Sequence, residues 1–348
     1  MKIAIICFSL TGWETGRRLK EGLESGENTV TLEGKSRYLP EGIKESTGQW
    51  TGTRFSDSDA IIFVGACGIA VRSIAPYIQK KTKDPAVLVI DECGKFVISL
   101  LSGHLGGANA LTLKAAEILK AEPVVTTATD LHNRFAVDVF AKKNGCEILN
   151  MKAAKEVSAA LLAGKSVGFF SDFPWEGELP KGLVLCEGTE ENLPETGVSV
   201  SIYKNRKPFK ETVSIVPPAV VLGMGCRKGK DTESVRKAAE KALKTAEIYQ
   251  EAVACLTSID IKKEEEAFLS LSGEWEIPFL TYTGEELLEA PGEFTPSSFV
   301  HSVTGVDNVC ERSAVLGAGK GTLIQKKTGE NGVTTALALR RDWRIRFE

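Results

Sequence analysis

Histidine is the scarcest chemically versatile residue in this sequence, three in 348, alongside three methionines, five tryptophans and five tyrosines. With no His-Glu-x-x-His spacing and no His/Cys cluster, a zinc site built by the protein is not supported, and no metal ligands are expected. Paired cysteines are lacking too. The eight cysteines stand at 7, 67, 93, 146, 186, 226, 255 and 310, never closer than 26 residues. That excludes a Cys-x-x-Cys knuckle and a dense disulfide framework, leaving buried free thiols as the default. No charge of one sign dominates: 43 basic against 46 acidic residues is a net −3. No global basic excess therefore draws the chain to nucleic acid or an anionic membrane, and any anion binding is local. Long apolar runs are also missing, since residues 60–71 and 214–226 fall well short of the ~20 needed to cross a bilayer. The run 3–8 behind Lys2 lacks a small-residue cleavage site and reads as a strand rather than a signal peptide, so a cytoplasmic protein is expected.

What is present is an ordinary globular composition, 43% hydrophobic and 26% charged, long enough for two or three domains with real cores at roughly 150 residues each. Apolar runs at 3–8, 60–66, 86–90, 96–101 and 123–127 alternate with helical patterns, which predicts an α/β layer. Thr11 and Glu14 have the spacing of a capping box at the first helix. From about 140 the pattern changes to one Ala-rich helix, 151–163, and short strands in Pro-, Gly- and Glu-containing loops. Pro217-Pro218 then marks a boundary, after which Asp231 can cap an alanine-striped helix and a terminal hairpin is predicted from 322–327 and 333–339. The predicted architecture is α/β in three segments of alternating strands and helices: an amino-terminal domain (1–139), a small middle domain (140–216) and a carboxyl-terminal domain (217–348).

Four segments carry candidate chemistry. Residues 65–72, GACGIAVR, run from a strand into a glycine-punctuated helix start. There the backbone amides around Gly65 and Gly68 and the Arg72 guanidinium can hold a carboxylate or phosphate; a plain tight turn is the alternative. Residues 102–109, SGHLGGAN, gather Ser102, Gly103, His104, Gly106, Gly107 and Asn109 where a strand hands over to a helix. Glycines admit a ligand close to the backbone, and the His104 imidazole titrates near neutral pH. Asp91 and Glu92, just after the preceding strand, can orient or deprotonate, or be solvated turn acids. A third segment, 130–138, holds His132 and an Arg134/Asp138 pair at i,i+4, read mainly as an ion pair. The fourth, 223–230, GMGCRKGK, joins Gly223, Gly225, Arg227 and Lys228 in a glycine loop. It lacks the Walker Gly-Lys-Ser/Thr ending, so a polycarboxylate suits it better than a nucleoside triphosphate. Cys226 there reads as a packed thiol, and His301 and Glu311 as weak rim candidates.

Taken together, GACGIAVR at 65–72, DECGKFVISLLSGHLGGANAL at 91–111, RFAVDVFA at 134–141 and VLGMGCRKG at 221–229 resemble the CbiG family, the cobalt-precorrin-5A hydrolases of anaerobic cobalamin biosynthesis. The resemblance spans essentially the whole chain. It implies opening of a δ-lactone on a ring-contracted cobalt corrinoid and release of acetaldehyde, with no cofactor beyond the cobalt carried by the substrate. His104 is then the expected base, Asp91 or Glu92 an orienting or alternative base, and the Gly103, Gly106 and Gly107 backbone the oxyanion site. Arg72, Arg227 and Lys228 are expected on the substrate's carboxylates. The expected partner is the corrinoid, with a homodimer and transient contact with neighbouring pathway enzymes as the protein-level options. A corrinoid carrier without chemistry, and a phosphate-dependent enzyme using the Gly223–Gly229 loop, are the competing classes.

Overall fold

The computed structural model describes every residue except Gly26, Pro40, Glu41, Lys81, Thr82, His104, Leu105, residues 127–134 and Glu348, and leaves aside the side chain of Phe299. The chain divides into two compact units, Met1–Arg134 and Phe135–Glu348.

In the first unit the apolar runs become β1 (Lys2–Cys7), β2 (Thr29–Gly34), β3 (Ala60–Val64), β4 (Ala86–Ile90), β5 (Phe96–Leu101) and β6 (Glu122–Val124), in one sheet of order β2-β1-β3-β4-β5-β6. Alternation along the central strands sends side chains to both faces. Ile3, Ile5, Ile62 and Leu88 pack against Leu19 and Leu23 of α1 (Leu10–Glu24). Ala4, Ile6, Phe63 and Val89 meet Trp50 of α2 (Thr47–Asp57) and Ile74 of α3 (Cys67–Ile74). α4 (Ala108–Leu119) joins α1 on its face. The β1–β4 pairings are parallel, but β5 runs antiparallel to β4. Helix α1 is capped by Ser9, whose hydroxyl accepts the Gly12 N–H, two residues earlier than the Thr11/Glu14 box predicted.

The second unit holds two five-stranded sheets and one two-stranded sheet. Its elements begin with α5 (Val137–Lys143), β7 (Glu147–Leu149), α6 (Met151–Leu162), β8 (Val167–Ser171), β9 (Trp175–Glu176), β10 (Leu183–Leu185), β11 (Thr196–Val200) and β12 (Glu211–Val216). Of these, β10-β8-β11-β12-β7 form the first sheet. After Pro217-Pro218 come β13 (Val220–Cys226), α7 (Thr232–Thr245), β14 (Val253–Ile259), α8 (Glu266–Glu274), β15 (Phe279–Tyr282), α9 (Gly284–Leu288), α10 (Ser298–Thr304), α11 (Cys310–Gly317), β16 (Thr322–Glu330) and β17 (Val333–Leu339). The second sheet runs β15-β14-β13-β17-β16. One continuous core, from Phe169, Val198 and Ile215 to Leu222, Met224 and Phe268, joins the two sheets, and β18 (Ile345–Arg346) pairs with β9. The predicted terminal hairpin turns through Asn331 and Gly332, both at positive φ, the backbone an Asn-Gly hairpin turn requires. The predicted Asp231 cap is present, its carboxylate accepting the Ser234 N–H at 2.8 Å.

Candidate active site

The carboxyl ends of β1, β3 and β4 finish level, Cys7 beside Val64 and Val64 beside Ile90. The chain leaves β1 for β2 on one side and returns to β3 on the other, so the crevice beyond Cys7 and Val64 is the sheet's switch point, where open α/β sheets take ligands. Two helices open there. Ser9 caps α1 and also donates its hydroxyl to the Glu92 carboxylate at 2.6 Å, while Thr15 donates to the Glu92 carbonyl at 2.8 Å. Helix α3 starts at Cys67 without a side-chain cap; the Ile69 N–H bonds the Ala66 carbonyl at 2.9 Å, which leaves the Cys67 and Gly68 N–H groups to face a ligand oxygen. The exposed Arg72 folds back over that turn, its Nη1 3.3 Å from where a Cβ on Gly68 would stand. A guanidinium beside uncapped amides suits a carboxylate. Leu10 and Val71, 62% and 47% exposed, give the same edge an apolar rim for a large ring system.

The structure therefore brings Gly68, Arg72 and Glu92 to one edge of the sheet, with Gly65 and Asp91. The last two have structural work. Gly65 donates its N–H to the Ile90 carbonyl at 2.8 Å, and a Cβ on it would stand 2.9 Å from the Phe8 ring. Asp91 accepts the backbone N–H groups of Cys93, Lys95 and Phe96 at 3.0, 2.8 and 2.6 Å. Both its oxygens are engaged by the β4–β5 turn.

The described flanks of the SGHLGGAN segment, Ser102–Gly103 and Gly106–Asn109, lie elsewhere. Because β5 reverses, Leu101 pairs with Val87 at the amino end of β4, and the Ser102 hydroxyl donates to the Asp84 carbonyl at 2.9 Å. About 15 Å of strand separates this edge from Asp91 and Glu92, at ~3.3 Å per residue. Ser102 is thus at the other edge of the sheet from those acids. His104 itself lies outside the described residues, as do His132 and Arg134. Its flanks fold onto themselves: the Ser102 and Gly103 carbonyls accept the Ala108 and Asn109 N–H groups at 3.1 and 3.0 Å, and Asn109 Oδ1 accepts the Ser99 hydroxyl at 2.6 Å. A Cβ on Gly106 would stand 2.3 Å from the Ser102 Cβ, and Gly107 starts α4 at positive φ.

In the second unit, Gly223 is a packing glycine rather than a ligand contact, since its Cβ would stand 1.9 Å from the Cys310 carbonyl of α11. Gly225 lies against Thr334, which donates to its carbonyl at 3.2 Å. Arg227 and Lys228 are exposed at the carboxyl end of β13. The loop's own anion site is occupied: Glu265 accepts the Gly229 and Lys230 N–H groups at 2.8 and 3.3 Å and pairs with Lys262 at 2.7 Å. Burial pushes its carboxyl up, but Lys262 and the two amides outweigh that and hold it below the usual range. The expected polycarboxylate therefore has the two exposed side chains to meet, not those amides. Burial raises the Cys226 thiol, consistent with a packed cysteine. Glu311 is a buried hub rather than a rim residue, accepting from Thr295, Asn308 and the Lys327 N–H.

Sequence reasoning missed Ser9 and Glu265. A serine directly after an apolar run is a cap signal that could have found the first. Nothing local marks Glu265, which lies 36 residues from the amide it holds. The β5 reversal had a signal as well: only five residues, 91–95, separate β4 from β5, enough for a hairpin and too few for a parallel crossover. Among the described residues, no three His, Cys, Asp or Glu side chains group as metal ligands, and no helix is long and apolar enough to cross a membrane.

The fold defines an α/β protein of three larger sheets and one two-stranded sheet. Its segments match three families in order: Cobalamin synthesis G N-terminal over residues 49–130, Cobalamin biosynthesis central region over 135–217 and Cobalamin synthesis G C-terminus over 220–338. Over 351 aligned residues it is 33% identical to the cobalt-precorrin-5A hydrolase of Salmonella typhimurium, covering 97% of each chain. With the enzyme of that name from Priestia megaterium it shares 30% identity over 92% of this chain and 86% of that one. A shorter stretch, 34% of this chain and 79% of the other, is 34% identical to protein CobE from a Sinorhizobium species. The chain belongs to the CbiG family of cobalt-precorrin-5A hydrolases, enzymes of cobalamin biosynthesis, and the resemblance drawn from its motifs is borne out.

Proposed function

We propose that this protein hydrolyses cobalt-precorrin-5A. Water adds to the lactone carbonyl and frees a carboxylate and a hydroxyethyl group. Loss of the hydroxyl proton to a base then breaks the carbon–carbon bond to the macrocycle, acetaldehyde leaves, and the bonding electron pair enters the conjugated ring. Water is the sole co-reactant, the cobalt arrives with the substrate, and the reaction belongs to the cytoplasm. The observation that carries this reading is likeness along the whole chain, 97% of its length, to a hydrolase of that name.

His104 is the proposed general base, with backbone N–H groups of the Gly103–Gly107 loop receiving the oxyanion. Arg72 and the uncapped start of α3 take a peripheral carboxylate. A second reading makes Glu92 the base, favoured by its place at the switch-point crevice and its contact with Ser9. The phosphate-dependent alternative is weakened by Glu265, which already fills the amides a phosphate would use.

The test is anaerobic incubation with cobalt-precorrin-5A, trapping aldehyde as a hydrazone while following the corrinoid's mass. One acetaldehyde per corrinoid is expected. Tight binding without aldehyde would instead identify a carrier, and gel filtration with and without substrate would show whether a homodimer forms.

A further inference from the structure

The second unit contains a cleft of about 370 Å³ that none of the residues discussed above lines. Along β12, Val213 and Ile215 point into the core, so Thr212 and Ser214 face the other side of the sheet. There Gly168 pairs with Gly197 across β8 and β11. Phe209 lies over both, and a Cβ on either would stand 2.1 or 2.2 Å from its ring. This bare floor seats the turn carrying Lys207 and Lys210 beside β12, and Thr212 fastens it, accepting the Phe209 N–H at 3.0 Å and donating to the Phe209 carbonyl at 2.7 Å. Opposite stands Tyr249, its N–H bonded to the Ile202 carbonyl at 3.0 Å.

Several polar groups line this cleft. Ser214 is only 6% exposed as a residue and lines the cleft. The Tyr249 hydroxyl finds no hydrogen-bond partner among the described residues. Lys207 forms no ion pair among the described residues, whereas Lys210 is tied to Glu195 at 2.5 Å. No carboxylate lines the cleft. A hydroxyl, a phenol and the Lys207 ammonium line a space beside which the acid Glu195 is already paired with Lys210, and they fit an incoming oxyanion. Leu149 and Phe209 supply apolar walls for methylene groups. The volume is at the small end of the ~300–1,000 Å³ typical of ligand pockets, so it fits a side arm and excludes a macrocycle.

We infer that this cleft is a carboxylate subsite, in which Lys207, Ser214 and Tyr249 hold one peripheral acetate or propionate arm of a corrinoid. The inference rests on the reading of the corrinoid as substrate. It is tested on the full chain by measuring the affinity of a corrinoid polycarboxylate and of its methyl ester for the wild type, Lys207→Ala, Ser214→Ala and Tyr249→Phe. The expected result is a 5- to 10-fold loss of affinity for the polycarboxylate in Lys207→Ala, a smaller loss in the two hydroxyl variants, and no change for the ester. Unchanged unfolding temperatures would show that the variants are intact. Equal affinity across all four proteins overturns the subsite, and so does relief of the Lys207→Ala defect by nothing more than low salt. Absence of aldehyde despite corrinoid binding overturns the hydrolase reading and leaves the subsite standing, whereas a wild type that binds no corrinoid overturns both.

Discussion

Ser9 donates its hydroxyl to Glu92 across 2.6 Å, linking residues 83 apart in sequence and tying the start of α1 to the turn after β4. The contact closes the switch-point crevice on one side. It also gives Glu92 a defined position, which Asp91 has only as a turn acid.

The two candidate bases, His104 and Glu92, are separated by substitution. His104→Ala should lower kcat for acetaldehyde release by 10²- to 10⁴-fold, the usual contribution of a general base, while Glu92→Gln should lower it less than about tenfold. The reverse order would move the base to Glu92.

Arg72 is expected to bind rather than react. Arg72→Ala should raise KM for the corrinoid about tenfold with kcat nearly unchanged, the signature of uniform binding lost with one charge-assisted contact. A fall in kcat at unchanged KM would assign Arg72 to the transition state instead.

Gly223 has no room for a side chain, with the Cys310 carbonyl 1.9 Å from its Cβ position. Gly223→Ala should cost about 3 kcal/mol or more, since neither strand nor helix backbone yields cheaply. Urea unfolding of the variant measures it, and a loss under about 1 kcal/mol would contradict the packing described.

Native thiols should divide by exposure. Cys67 and Cys93 are exposed, whereas burial pushes Cys7 and Cys146 up to about 12 and Cys310 to about 11. Alkylation near neutral pH should add two groups quickly by mass spectrometry. Rapid labelling of Cys7 or Cys310 would count against their burial.

Acid should loosen the second unit through two carboxylates. Backbone and side-chain bonds from Ser234, with Lys230, hold Asp231 at about 2 against an ordinary 3.8, and Glu265 is also lowered, from 4.5. Groups depressed on folding stabilise the native state above their unfolded pKa, and that contribution is lost as pH falls through the folded value. Stability should therefore be flat above about pH 5 and decline below about pH 4. Asp231→Asn should make the decline shallower in circular dichroism melts, and an unchanged slope would remove Asp231 from the account.

Much of the fold is legible because its signals are local. The runs 3–8, 60–66 and 86–90 become buried strands, and Asp231 caps its helix as its position suggests. The site is legible less evenly. Glycines at 223 and 106 stand out in sequence, but whether a glycine faces a ligand or a neighbouring backbone depends on what packs against it, and here Cys310 and Ser102 do.

By itself, the sequence determined the α/β class, the order of its three segments and the family, because periodicity, caps and contiguous motifs reside in neighbouring residues. Only the tertiary structure decided which motifs share an edge. A single antiparallel strand, β5, carries Ser102 and Gly103 away from Asp91 and Glu92, and a glutamate 36 residues distant fills the amides of the GMGCRKG loop. Both outcomes follow from strand direction and through-space hydrogen bonding, which depend on contacts between residues far apart in the chain.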